Sequence, residues 1–422
     1  MPKFIISGGA KIGGEIKVGG AKNAALKIFP AAILFKEKIR ITNVPDIEDV
    51  HRCEELLKDI GALVNNLGNG VYEVDASNIN KTDLNPEIVK KFRSSIMFVG
   101  PLLARAGQAR FPHPGGCVIG AGGRPIDLFL DGFSKMGVEL KTEDKFYHLF
   151  AKNIFGTQYF FSKVTVTGTE SIMMTAVLAK GTTVLKNCAL EPEITALADF
   201  LNSCGAKISG AGTPTITIEG VDGLRGGEYR VIPDRIETGT FAIMAAVLNN
   251  KLKITDCNPE HVGALWPLFD KIGVNYELGH DYVVVHSTKG PLKACSMQTH
   301  EYPGFATDLQ SPYVVLATQC QGLSLIHETI YDRRLLFTDM LTQMGANIIM
   351  CDPHRVVVSG PTKLYAKKLV SPDLRAGITM VIAGMIAEGT TEIDNIYQIE
   401  RGYEKIVERL IRIGVNIKKT EE

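Results

Sequence analysis

Six times along this chain an amphipathic segment runs into Gly-Ala or Gly-Val and then into a strand-like stretch. The closing glycines are Gly61, Gly137, Gly205, Gly273, Gly345 and Gly414, spaced 76, 68, 68, 72 and 69 residues apart. A glycine just past a helical segment supplies the left-handed residue that ends it. Each glycine therefore predicts a helix end followed by a strand. Repetition at this period constrains the fold more than any local propensity, because every unit must bury the same face against its neighbours. Most units carry a second signature upstream, a small-residue segment, a turn and a strand. Ser171-Ile-Met-Met-Thr-Ala-Val-Leu-Ala-Lys-Gly-Thr-Thr-Val-Leu is one example, and the segment from Gly377 to Ile393 is another. Small side chains let backbones approach closely, so these segments are expected to be tightly buried helices. Each unit of about 70 residues then offers two helices and about four strands.

Rossmann domains and TIM barrels need one helix per strand in regular alternation, which this pattern does not provide. The expectation is an α/β protein of two domains, each of three units, with helices inside and sheets outside. A length of 422 residues suits two or three domains. The stretch from Gly223 to Asp234 offers a boundary, and a second crossing near Gly13 to Gly20 lets the N-terminal strand join the last three units. The expected domains are 20–230, and 1–19 with 231–422, with ligands favouring the cleft between them.

One loop stands out chemically. Between Pro112 and Pro125 five glycines and three prolines surround Cys117, with Arg124 seven residues downstream. Such a segment joins neither a helix nor a central strand, and a thiol beside a guanidinium suggests thiol chemistry. The other cysteines (53, 188, 204, 257, 295, 320 and 351) are scattered without a Cys-x-x-Cys, which reads as reduced thiols of a cytoplasmic protein. The nine histidines show no ligand spacing, so no metal and no cofactor is expected. Zero formal net charge argues against a general nucleic-acid or membrane-surface partner. No apolar run reaches the roughly 18 residues of a membrane helix.

Cationic residues recur where units begin. Gly19-Gly20-Ala21-Lys22-Asn23 follows the strand from Glu15 to Val18, which puts Lys22 and Asn23 at an anion-favouring helix N-terminus. The segment lacks the Gly-Lys-Ser/Thr of a Walker loop, so an NTPase is excluded. Arg93, Arg124 and Arg375 fall at loop-to-helix junctions of different units, and Arg334 and Arg401 complete the set. Asp308 and Asp373 each precede a helical run, where a helix-capping role fits as well as a chemical one.

Nearly the whole chain resembles the UDP-N-acetylglucosamine 1-carboxyvinyltransferases, a family of enolpyruvyl transferases. The resemblance rests on Gly-Gly-Ala-Lys22-Asn23-Ala, Arg93-Ser-Ser-Ile, Pro114-Gly-Gly-Cys117, Arg124-Pro125-Ile126-Asp127, Glu191-Pro-Glu-Ile, Pro233-Asp-Arg-Ile-Glu-Thr-Gly-Thr, Thr307-Asp308-Leu-Gln, Asp373-Leu-Arg375-Ala and Arg401-Gly-Tyr-Glu. It implies an inside-out α/β barrel of six βαβαββ units, three per domain. It also implies transfer of the enolpyruvyl group of phosphoenolpyruvate to UDP-N-acetylglucosamine, the step that commits the sugar to peptidoglycan. By resemblance Cys117 protonates C3 of phosphoenolpyruvate and Asp308 takes the proton of the sugar 3′-hydroxyl. Lys22, Arg124 and Arg401 would hold phosphate, Arg334 and Arg375 the carboxylate end, and Asn23 the tetrahedral ketal. Asp373 would join the substrate-binding set. For the sugar nucleotide the matching positions are Arg93, Arg124, Pro125, Ile126, Asp127, Leu128, Lys163, Val164, Thr165, Val166, Asp308 and Ile330. Residues 163–166 are ordinary strand formers, while Glu191, Asp234, Arg235 and Glu237 read as structural.

The chain departs from that family twice. Ala121-Gly122-Gly123 makes the segment before Arg124 two residues longer, and Phe129 replaces a common histidine, removing an expected hydrogen bond to phosphate. Neither change removes an acid, a base or a principal cation, and the retained Cys117 implies sensitivity to fosfomycin. The alternatives are an inactive UDP-N-acetylglucosamine-binding paralogue and a 3-phosphoshikimate 1-carboxyvinyltransferase.

Overall fold

The computed structural model describes residues 2–113 and 126–420. Each closing glycine does adopt the left-handed backbone, from φ +85° at Gly137 to +106° at Gly205. Any side chain there would be strained, which explains why glycine recurs at this place in every unit.

The described residues form two compact units, 20–113 with 126–232, and 2–19 with 233–420. Each unit has its own apolar core and three sheets. In the first unit one sheet orders Glu228–Arg230, Ile39–Thr42, Val71–Asp75 and Leu63–Gly68. Glu228–Arg230 runs parallel to Ile39–Thr42, and the other neighbours are antiparallel. A second sheet repeats this with Gln158–Phe160 parallel to Thr182–Lys186. The third has three strands, and its parallel neighbour shrinks to an isolated bridge between Asp83 and Arg110. In the second unit Glu15–Lys17 runs parallel to Leu252–Thr255, while Lys3–Ser7 pairs antiparallel with both Thr390–Asp394 and Ile417–Thr420. The chain's first strands thus complete sheets whose other strands lie more than two hundred residues away.

The small-residue helices are buried almost all round. Arg235–Leu248 is buried from Arg235 to Val247, and Leu374–Ile386 from Arg375 to Met385. Gln310–Gln319 packs against both. Close approach requires the missing side chains. A Cβ at Gly239 would lie 2.4 Å from Leu309 Cδ1, and one at Gly100 would lie 2.7 Å from the Ser171 carbonyl oxygen. Strands alternate, as in Thr182–Lys186 with Thr183 and Leu185 buried, so each sheet lays one apolar face on the helices. Among the described residues no helix is long and apolar enough to cross a membrane.

Candidate active-site residues

In the unit formed by 2–19 and 233–420, three of the expected residues meet directly. Asp308 lies in the short helical turn Thr307–Leu309, ahead of Gln310–Gln319, and neither element takes a side-chain cap. Its carboxylate turns to two guanidiniums instead. Arg334 Nη2 donates to Oδ1 at 2.8 Å, and Arg375 Nε donates to Oδ2 at 3.0 Å. The guanidinium side chains are 4% and 5% exposed, whereas the carboxylate keeps 26% exposure and so stays open to a ligand. Burial by itself would lower both arginine pKa values. Asp308 with Glu328 and Asp373 at Arg334, and Asp308 with Tyr403 and Asp234 at Arg375, together outweigh it, so both are held above the ordinary value. Each arginine is a fixed cation.

Asp373 plays the other part. Its Oδ1 accepts from the backbone N–H groups of Arg375 at 2.8 Å and Ala376 at 3.0 Å, capping Leu374–Ile386. The capping reading therefore holds for Asp373 and fails for Asp308, and the cap fixes the turn that carries Arg375. Arg375 also donates to the Tyr403 hydroxyl at 3.2 Å and lies 5.6 Å from that ring centroid. Arg401 ends the short helix Tyr397–Glu400 and donates to Gln398 Oε1 at 3.1 Å. The Ile330 N–H donates to Glu328 Oε1 at 2.9 Å. Glu237 is structural, as expected: it binds Arg409 at 2.7 and 2.8 Å and accepts from the Gly19 N–H.

In the other unit Lys22 and Asn23 open the helix Lys22–Ala31, whose N-cap Ala21 has no side-chain acceptor. Lys22 Nζ lies 2.8 Å from Asp49 Oδ2, with both side chains buried. One turn on, Lys27 Nζ donates to the Asn23 carbonyl at 2.9 Å and lies 3.0 Å from Glu170 Oε2. Burial pushes the Glu170 carboxyl up to about 7 against the opposing charge of Lys27. Arg93 opens the turn Arg93–Phe98. Ile126 is buried immediately before the helix Asp127–Lys135, and the Leu128 carbonyl accepts from the Tyr159 hydroxyl at 2.7 Å. Cys117, Arg124 and Pro125 lie outside the described residues.

One expectation needs correction. Residues 163–165 lie outside any strand, and Val166 begins the helix Val166–Ala176, with Thr165 Oγ1 accepting from the Gly168 N–H at 3.2 Å. A threonine cap and burial of the following helix override the β-propensity of Val and Thr. Phe129, the departure from the family's common histidine, is 3% exposed and packs on Phe133 with ring centroids 5.9 Å apart, so its side chain serves the core. Sequence reasoning passed over Asp49, Lys27, Glu170 and Glu328 as site partners, and it quoted Thr307 and Tyr403 only as members of family motifs without giving them a part. Among the described residues no cluster of His, Cys, Asp and Glu suits a metal ion.

Comparison with known proteins places this geometry. A family model described as EPSP synthase (3-phosphoshikimate 1-carboxyvinyltransferase) matches residues 6–410, and the chain belongs to this family of enolpyruvyl transferases. Within the family it is 44% identical to a UDP-N-acetylglucosamine 1-carboxyvinyltransferase of Koribacter versatilis, over 100% of this chain and 97% of the relative. It is 41% identical to the protein of that name from Enterobacter cloacae, over 100% of both chains. Among solved structures it is similar to the enolpyruvyl transferase NikO from Streptomyces tendae, with TM-score 0.89, 25% identity and 99% of each chain covered. EPSP synthase from Acinetobacter baumannii, at TM-score 0.75 and 16% identity over 100% of both chains, shares the fold. The two-domain α/β fold expected from the resemblance agrees with these structures.

Proposed function

We propose that this protein transfers the enolpyruvyl group of phosphoenolpyruvate to the 3′-hydroxyl of UDP-N-acetylglucosamine, releasing phosphate, in the cytoplasm and at the head of peptidoglycan synthesis. The observation that carries the reading is full-length identity of 40–44% to relatives of that name. The doubly paired Asp308 supports it. In the proposed reaction Cys117 gives a proton to C3 of phosphoenolpyruvate, making C2 electrophilic. The sugar hydroxyl adds to C2 as Asp308 takes its proton. Loss of a C3 proton and departure of inorganic phosphate then restore the alkene. A general acid and a general base each contribute roughly 10²–10⁴-fold.

A carboxylate held by two guanidiniums is a weak base. The substrate carboxylate relieves this in our reading by drawing hydrogen bonds of Arg334 and Arg375 off Asp308 as the acceptor arrives. Lys22, Arg124 and Arg401 hold phosphate and Asn23 the ketal. Arg93, residues 124–128 and 163–166, Ile330 and Asp308 bind the sugar nucleotide. Asp373 acts through the turn that it caps.

The test is phosphate release from phosphoenolpyruvate with UDP-N-acetylglucosamine or shikimate 3-phosphate as acceptor. Release only with the sugar nucleotide is expected, and release only with shikimate 3-phosphate overturns the reading. Cys117→Ser is expected to abolish turnover while sparing UDP-N-acetylglucosamine affinity. Fosfomycin is expected to inactivate the protein and add its mass to the Cys117 peptide.

A further inference from the structure

Glu328 is a carboxylate with no exposed surface, placed where the strand Gly322–His327 ends. The reaction gives it no role. Burying a carboxylate is costly unless hydrogen bonds replace its water, and here they do. The Thr307 hydroxyl donates to it, lying 2.9 Å from Oε1 and 2.8 Å from Oε2. The backbone N–H groups of Ile330 and Tyr331 donate to Oε1 at 2.9 and 3.0 Å. Glu328 thus ties together two segments that are distant in sequence, the turn bearing Asp308 and the loop bearing Ile330.

The hydroxyl of Thr307 has a fixed direction. Arg334 Nη1 donates to it at 2.8 Å, so its own proton points to Glu328. The same guanidinium places Nη2 on Asp308 Oδ1. The chain of bonds runs from Glu328 through Thr307 and Arg334 to Asp308, and Arg375 closes the far side on Oδ2. Glu328 also adds its charge to the field that holds Arg334 protonated. Every member is a side chain of one unit, and the order of donors and acceptors permits one arrangement.

We propose that Glu328 is a positioning residue for the enolpyruvyl transfer, orienting Asp308 through Thr307 and Arg334 and holding the Ile330–Tyr331 backbone against which the sugar nucleotide docks. This rests on the function proposed above. Two arms leave the carboxylate and have separable effects. The Thr307 arm aims the base and acts on kcat. The backbone arm shapes the acceptor loop and acts on KM for the sugar nucleotide.

The experiment is steady-state phosphate release by the full chain with phosphoenolpyruvate and UDP-N-acetylglucosamine, comparing wild type with Thr307→Val, Thr307→Ser and Glu328→Gln. Thr307→Val removes the relay and keeps the shape. Its kcat is expected to fall about 10- to 100-fold, the range for partners that orient a working group, with KM for UDP-N-acetylglucosamine within about twofold of wild type. Thr307→Ser restores the hydroxyl and is expected to return kcat to near the wild-type value. Glu328→Gln presents an amide N–H₂ or a single oxygen where two oxygens accept, so kcat is expected to fall and KM to rise together. Wild-type kcat in a folded Glu328→Gln protein, or Thr307→Ser as slow as Thr307→Val, overturns the proposal. If Glu328→Gln does not fold, the two Thr307 variants decide alone. Wild-type protein silent with this acceptor overturns the functional reading instead, a result distinguishable because it precedes any variant.

Discussion

Asp308 and Glu170 are both carboxylates paired with buried cations, and their surroundings make them different objects. Asp308 sits at a loop end, keeps a quarter of its side chain exposed and is shared by two guanidiniums. Glu170 lies inside the helix Val166–Ala176, has no exposed surface and faces Lys27 at 3.0 Å. The first pair is open to an incoming ligand. The second is sealed, and Lys27 spends its other hydrogen bond on the Asn23 carbonyl. Ion-pair chemistry alone therefore does not mark a site; access does.

Four measurements break or sharpen this contrast. Asp308→Asn is expected to cut kcat by about 10²–10⁴-fold and to lower stability as well, since Arg334 and Arg375 lose their anion. A folded variant with wild-type turnover removes Asp308 from the chemistry. Lys27→Met is expected to cost about 3–5 kcal/mol in urea unfolding, because Glu170 is left buried without its cation. The double variant Lys27→Met/Glu170→Leu recovers most of that loss, and failure to recover shows that the pair contributes more than mutual neutralisation.

The third measurement concerns pH. Glu170 is pushed up to about 7 by burial, above an unfolded value of about 4.3. Between these values the folded protein retains a proton that the unfolded chain has released. Its contribution to stability is therefore greatest at the acid end and falls as pH rises through the window. Urea midpoints between about pH 5 and 7 are expected to show this slope in wild type, and the double variant is expected to flatten it. The smallest effect belongs to the cap: Asp373→Ala is expected to cost about 1 kcal/mol, with a modest loss of turnover through Arg375. A loss of turnover equal to that of Asp308→Asn gives Asp373 a direct part in the reaction.

The legible part of this protein was whatever repeats or lies close in sequence. Glycine at the six helix ends is forced by local backbone geometry, and the small-residue helices announce their burial by composition. Lys22, Arg93 and Arg375 at element starts follow from the same local logic. Reading 163–166 as strand failed because a cap three residues before a glycine outweighed the propensity of its neighbours. The burial of Phe129 was not legible, since it depends on the helix face that it shares with Phe133, one turn away, being turned to the core.

The amino-acid sequence by itself determined the period, the helix ends, the six-unit α/β plan and the residue types available for acid, base and anion binding. Its local pattern left Asp308 and Asp373 alike, each an aspartate ahead of an apolar helix, and the resemblance alone gave them different parts. The tertiary structure gave that difference a physical basis. It carried Arg334 from 26 residues away and Arg375 from 67 residues away onto one carboxylate, while Asp373 turned back on its own helix. Capping is a bond between near neighbours and can be anticipated locally. A shared carboxylate depends on which loops the sheets bring together, and no window of sequence contains that information.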